Sequence, residues 1–419
     1  GSGFHLGNFL LLIGLFGASN DLVAQKVIDQ TNSQSNVSLE HAERFSKLVV
    51  QDHRGRMKPM HTLTREVMRK VRGKESMNGL NADQIVLGMF ANSANWIDVP
   101  MIKLGADEEI HNKLGVSGPL ATYNDFFDDK GDYVLADEVT RANEAQPIDR
   151  GVYEKELIKV DERVNIMNMV FGGLLFKIIP VPGDVNNTWV SGHDHGTVQN
   201  PVAEKFFNAY IPAFQEAIAT GNYGLPDKLL NELSAYQNEK GAAVMPSKAK
   251  IDAEILLNEL DVFNRLAVFY ALLGSGFLFF LFFSVFKPSV DLNKVYKVMF
   301  TLLLIGFGLH TIGLGLRWYV SGRAPWSNGY ESMIYIAWTT VLAGVVFTRR
   351  SFGGSAATMI LSATVLLVAM LSYLDPEITP LVPVLRSYWL TIHVSMEAGS
   401  YGFLALGAVI GLINLILMI

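Results

Sequence analysis

Residues 310–336 read HTIGLGLRWYVSGRAPWSNGYESMIYI and place an apolar helix, a short polar turn and a second apolar helix in immediate succession. That order is the pattern of a membrane helical hairpin, because a helix needs about 20 mostly apolar residues to cross hydrocarbon and must satisfy its backbone internally. The turn holds Arg317 and Arg323, Trp318 and Trp326, Pro325 and the tetrad Ser327-Asn328-Gly329-Tyr330, with Glu331 at the head of the second helix. Asn328 precedes Glu331 with the spacing of a capping box, in which the amide accepts from the first free N–H groups and the carboxylate reaches back. A rigid polar turn at a membrane surface is expected.

Working outward, apolar runs cover roughly 263–286, 296–319, 330–347, 354–374 and 388–419, so five transmembrane helices are expected, the last cut short. Lys287, Lys294 and Lys297 crowd the loop after the first run, and Arg349 and Arg350 follow the third. Basic loops stay on the cytoplasmic side. The turn at 318–329, the loop at 374–388 and the soluble domain before the first run then lie on the outer side. Arg317, Arg323 and Arg386 stand where arginine is disfavoured, which asks for a function or at least an anionic partner.

Composition agrees with this division. Residues 262–419 hold nine Lys/Arg and five Asp/Glu out of 34 and 40 in the 419-residue chain, so the first part carries −10 and the last +4. An acidic soluble domain preceding a membrane domain is the expected organisation, and nothing points to nucleic acid. The absence of cysteine excludes disulfides, thiolate metal sites, thiol catalysis and covalent thioether haem within this chain. The apolar start at 4–18 is short for a span and lacks a basic flank, so the sequence reads as an internal fragment. The expected boundaries are a partial apolar segment at 1–19, a mostly helical soluble domain at 20–260 and a transmembrane domain at 261–419.

Within 20–260, Asn81 and Gln84 mark a helix start. Leu157, Val160, Val164, Met167, Phe171 and Leu174 recur at helical spacing and predict one buried face. Val181-Pro182-Gly183-Asp184 and the stretch 221–226 read as breaks. No phosphate-cradling glycine loop and no His-Glu-x-x-His occurs. Gly192-His193-Asp194-His195-Gly196 has two histidines that can share a metal, although a solvated loop is the plainer reading. His5 reads as incidental, and His41, His53, His61 and His111 read as surface or cap residues. The pattern Ile251, Ile255, Leu256, Leu260, Phe263 predicts one amphipathic helix running unbroken into the first span.

Two histidines fall in the apolar runs, where ionisable groups are expensive enough to suggest function. His393, near the outer end of the last run, is followed by Met396, Glu397 and Ser400 on one face. It suits a ligand pocket, with a hydrogen bond across the helix bundle as the alternative. His310 lies deeper, on a face shared with Gly306, Gly313 and Arg317, and a buried interhelical hydrogen bond is the expected role ahead of a ligand role. Arginines that pair with carboxylates and tryptophans that stack on a flat macrocycle suit a haem edge. They equally suit an interfacial aromatic belt.

Leu316-Arg317-Trp318, Ser321 through Ser332 (SGRAPWSNGYES) and Ala337-Trp338 resemble the signature of the CcsA (ResC) proteins of cytochrome c biogenesis system II. His393-Val394-Ser395-Met396 with Ser400-Tyr401 resembles the family's H-V-S-M-M…S-Y helix. Leu48 through Asp52, Arg56 through Pro59 and Asn186 through Trp189 are similar to the domain that precedes CcsA in fused CcsBA proteins of Bacteroidetes-like bacteria. The resemblance implies a multi-pass protein of the bacterial inner membrane with residues 20–260 in the periplasm. It implies non-covalent haem b, received through the membrane and presented at the outer face to the C-x-x-C-H motif of apocytochrome c for thioether attachment.

By the same resemblance His393 is one of two axial ligands of the haem iron. On the residues' own chemistry Arg317, Arg323 and Trp326 are expected at the haem edge, with His310 as a further candidate. The implied partners are apocytochrome c, a ResB/CcsB-like portion, the remaining C-terminal part of CcsA and thiol reductant proteins. The family's W-G-x-x-W-x-W-D signature and its two later histidines do not occur in this sequence, so a partial haem site without a complete lyase is expected. The rival readings are a multi-span transporter or receptor for an anionic substrate, and a ligand-free assembly scaffold.

Overall fold

Helical periodicity runs through both halves of the chain, and a computed structural model describes residues 37–192, 200–371, 374–381 and 387–418. His5, His193, His195 and Arg386 lie outside the described residues. The chain divides into two compact units between Pro246 and Ser247.

In the first unit, α1 (Leu39–Ser46) is followed by the hairpin of β1 (Val49–Gln51) and β2 (Met57–Pro59), which leads directly into α2 (Met60–Arg72). A second hairpin, β3 (Ser76–Met77) with β4 (Leu80–Asn81), delivers the chain to α3 (Ala82–Ala91). The predicted helix start closes as a capping box: Gln84 N–H donates to Asn81 Oδ1 at 2.9 Å and Asn81 N–H to Gln84 Oε1 at 3.2 Å. Then follow β5 (Ile102–Lys103), α4 (Glu108–Leu114), β6 (Leu120–Ala121), α5 (Ala136–Glu144) and α6 (Val152–Phe171). The hairpin β7 (Ile179–Pro180) and β8 (Trp189–Val190) precedes α7 (Pro201–Thr220) and α8 (Gly224–Lys240). As the spacing predicts, α6 buries Leu157, Val160, Val164 and Met167. Val170 completes the stripe, while Leu174 lies beyond the helix end.

Two quoted motif segments meet in this unit. The Gln51 carboxamide accepts from Trp189 N–H at 2.8 Å and donates to the Asn187 carbonyl at 3.0 Å. Buried Gln237 accepts from Val49 N–H at 3.1 Å and donates to the carbonyls of Val49 and Ile178, both at 2.8 Å. A two-stranded ribbon is marginal by itself, and these side chains supply the pairing that a third strand would give.

Two histidines expected at the surface are not there. His41 is buried, with Nδ1 at 2.6 Å from Asp227 Oδ1 and Nε2 at 2.9 Å from the Tyr210 hydroxyl, stacked on Phe214. The His61 side chain is largely covered, with Nδ1 at 2.8 Å from Asp83 Oδ2. In each case an acid distant in sequence makes burial affordable, a pairing that local composition does not reveal.

The second unit contains α9 (Lys248–Leu260), α10 (Val262–Phe286), α11 (Asn293–Ser321), α12 (Gly329–Phe347), α13 (Phe352–Ala369) and α14 (Tyr388–Met418). Among the described residues, five helical runs are long and apolar enough to cross a membrane, the first of them joining α9 and α10. The chain is a mostly helical membrane protein with five candidate spans, as expected. Helix α13 packs on α10 and α12, and α14 leans on α12. Close approach of α11 to α10 needs Gly306, where a Cβ would meet the Phe269 and Tyr270 rings at 2.7 and 2.8 Å.

The predicted unbroken entry into the first span is corrected by one residue. Asp261 adopts the left-handed conformation (φ 42°, ψ 46°) between α9 and α10, and its carboxylate accepts from Asn264 Nδ2 at 2.9 Å. Aspartate tolerates this region because its short polar side chain bonds locally. Freed from the phase of α10, α9 buries Ile251, Glu254 and Leu257, and leaves Leu256 and Leu260 exposed.

Candidate functional site

The polar turn forms where α11 ends at Gly322, itself left-handed at φ 69°. Asn328 Oδ1 accepts from Glu331 N–H at 2.8 Å and so starts α12. The other half of the expected box does not close on Asn328. Glu331 Oε2 instead accepts from Ser327 N–H at 2.9 Å and from Arg323 Nη1 at 2.7 Å, and Oε1 accepts from Arg317 Nε at 3.1 Å. Glu331 is fully buried and Arg317 nearly so.

The remaining guanidinium donors reach the segment that follows α13. Arg317 donates to the carbonyls of Pro376 and Glu377 at 3.0 and 3.4 Å, and Arg323 to that of Thr379 at 2.9 Å. The anionic partner that the arginines demanded is thus Glu331, within the same turn. Their charge-assisted bonds are made inside the protein.

Trp326 packs edge-on to Trp318 and against Tyr335, with ring centroids at 5.5 and 4.7 Å. Its indole N–H donates to the Thr391 carbonyl at 3.2 Å, in the first turns of α14. On the same helix His393 stands exposed, at 73%, with Nε2 3.7 Å from Glu397 Oε2, while Tyr401 donates to Glu397 Oε1 at 3.1 Å. Trp389, Met396 and Ser400 are exposed as well. An apolar helix with His, Glu, Ser and Tyr in its exposed residues has a surface ill-suited to bare lipid.

His310 is placed differently. It is fully buried, with Nε2 at 3.0 Å from the Ile334 carbonyl and Nδ1 at 3.3 Å from the Tyr270 hydroxyl. Both ring nitrogens are engaged by neighbouring helices, so the arrangement supports the hydrogen-bonding role and leaves no nitrogen for a ligand. The structure therefore brings Arg317, Arg323 and Trp326 together with Glu331, connects Trp326 to the helix of His393, and keeps His310 apart. Among the described residues no group of three or more His, Asp or Glu side chains is arranged to hold a metal ion.

The profile of the cytochrome C assembly protein family matches residues 326–419, which begin at Trp326 and contain α12 through α14. This part of the chain is similar to the cytochrome c assembly proteins of the CcsA type. Protein NrfI of Wolinella succinogenes is 41% identical over 384 residues, covering 91% of this chain and 42% of that protein. The CcsA protein of Trieres chinensis is 34% identical over 167 residues, 38% of this chain and 52% of the relative. The CcsA protein of Chlorella vulgaris is 40% identical over 114 residues, 26% of this chain and 35% of the relative. The chain thus spans about half or less of the length of these relatives.

Sequence reasoning missed Glu331 as the centre of the turn. The signal was present, since one acid stands among two arginines in a segment at the end of a span, but the capping spacing offered it a different partner.

Proposed function

We propose that this chain is the part of a cytochrome c assembly protein that holds haem at the outer membrane face, with His393 as one axial ligand. The observation that carries the reading is the exposed His393 imidazole on a helix whose start is pinned to the family's tryptophan turn. The residues fit the group: haem iron takes a neutral imidazole nitrogen, and the Glu397 carboxylate, at 3.7 Å from His393 Nε2, lies beyond hydrogen-bond distance. Haem would supply the vinyl groups to which an apocytochrome's C-x-x-C-H thiols become attached. Trp389, Met396 and Tyr401 offer exposed apolar surface on the same helix, Glu397 holds a carboxylate one helical turn away, and Trp326 bonds the helix at Thr391. Arg317 and Arg323 act on haem indirectly, by shaping the turn.

The match to NrfI extends through both units, which supports a soluble domain and an assembly module in one polypeptide. The charge pattern supports an outer, periplasmic placement of the first unit and of the turn, in a bacterial inner membrane. Apocytochrome c, thiol reductants and the rest of the assembly protein are its partners on this reading.

The test is made in the full-length protein purified with its haem. His393→Gly is expected to lower haem content and alter its absorption spectrum, and added imidazole to restore both by filling the vacated position. Wild-type haem content and spectrum in His393→Gly without imidazole sinks the proposal.

A further inference from the structure

We infer that Glu331 is a positioning residue for the haem site: its buried carboxylate sets the attitude of the first turns of α14, and hence of His393, from a separate helix. The inference rests on the haem reading of His393 and goes beyond it.

Two routes lead from Glu331 to α14. Through Oε2 it holds Arg323 Nη1 and Ser327 N–H, which bracket the turn that carries Trp326. The Trp326 indole then donates to the Thr391 carbonyl, two residues before His393 in sequence. The second route runs through the guanidiniums to the carbonyls of Pro376, Glu377 and Thr379, in the segment that precedes α14. One carboxylate therefore organises both the tryptophan that contacts the helix and the chain that approaches it. No contact joins Glu331 to His393, so its effect on the imidazole is indirect.

The chemistry needs a carboxylate at this place. Two nearly buried guanidiniums require an anion beside them, and two carboxylate oxygens can receive both arginines and the Ser327 amide at once. A carboxamide has a single acceptor oxygen, and its NH2 faces a donor. Glu331→Gln therefore frees one arginine and loosens the turn, whereas Glu331→Asp keeps the charge with a shorter reach.

The experiment uses the full-length protein, with spin labels at Tyr319→Cys and Tyr388→Cys, both exposed positions, and any other cysteines replaced. With Glu331 in place the label-to-label distance in haem-free protein is expected to be narrow. Glu331→Gln should shift or broaden it, and Glu331→Asp should recover part of the wild-type distribution.

In haem-loaded protein, Glu331→Gln should also weaken haem retention about tenfold, the factor that ~1.4 kcal/mol of lost positioning corresponds to. Added imidazole should restore its spectrum, because the pocket remains and only the histidine is displaced. Trp326→Phe, which leaves the ion cluster intact and removes one N–H, should move both readouts in the same direction by less. It carries the test should Glu331→Gln fail to insert.

A narrow, unshifted distance in Glu331→Gln, or in Trp326→Phe where that variant stands in, overturns the inference whatever the haem does. Unchanged haem in His393→Ala overturns the haem reading alone, since the distance is measured without haem.

Discussion

Glu331 shows how a single residue can be in plain view and still be misassigned. Its spacing from Asn328 was legible, as was the need of Arg317 and Arg323 for an anion, but the choice between the two partners was not. That choice is made by carbonyls at 376, 377 and 379, brought up by the segment after α13, and backbone acceptors leave no mark on a sequence. His41 and His61 were misplaced for a related reason, because Asp227 and Asp83 reach them only in the fold.

Two histidines of the first unit should titrate in opposite senses. His111 directs Nδ1 at the Val116 carbonyl (3.0 Å) and Nε2 at that of Gly105 (2.9 Å), and only the imidazolium donates from both. The Gly105 bond first, then the Val116 bond, hold its pKa above the ordinary 6.5. The stability it contributes is therefore complete below pH 6.5 and lost as pH rises through the raised value. His41 is the reverse: burial outweighs Asp227 and lowers its pKa from 6.5, so its contribution is present above pH 6.5 and lost as pH falls through the lowered value. Ring-proton NMR titration, with His111→Phe and His41→Phe as assignments, checks both directions; a downward shift for His111 refutes the clasp.

At the level of elements, the spans were the easiest part to read, because length and apolarity determine them with little help from tertiary contacts. The junction of α9 and α10 was not readable, since neither Gly nor Pro announces it and Asp261 enters the left-handed region through a bond to Asn264. Asp261→Gly and Asp261→Asn should leave thermal unfolding in detergent nearly unchanged. Asp261→Val should cost ~1–2 kcal/mol, the penalty of the left-handed conformation for an ordinary side chain. Equal stability for the Val variant would mean that the helix runs straight through. Gly306→Leu should be harsher, because its side chain must enter space held by Phe269 and Tyr270, and overpacking of this kind costs ~1–3 kcal/mol or more. Loss of the compact unit in that variant, read by limited proteolysis, is the expected outcome.

At the scale of the whole molecule, the loop charges predict sidedness. The cysteine-free sequence makes it directly testable in cells. Gly329→Cys should react with impermeant reagent from outside, and Lys294→Cys and Arg349→Cys only after the membrane is opened; the reverse pattern removes the outer haem site. The first unit has a different kind of order. Its β1 strand is completed by Gln237, 188 residues further along the chain. At ~5–20 residues per second, synthesis takes about 10 to 40 s to cover that interval. For that time the newborn hairpin has an unfinished edge, so a protein that chaperones extended chains has its longest opportunity at the very segment that will later be among the best tied down.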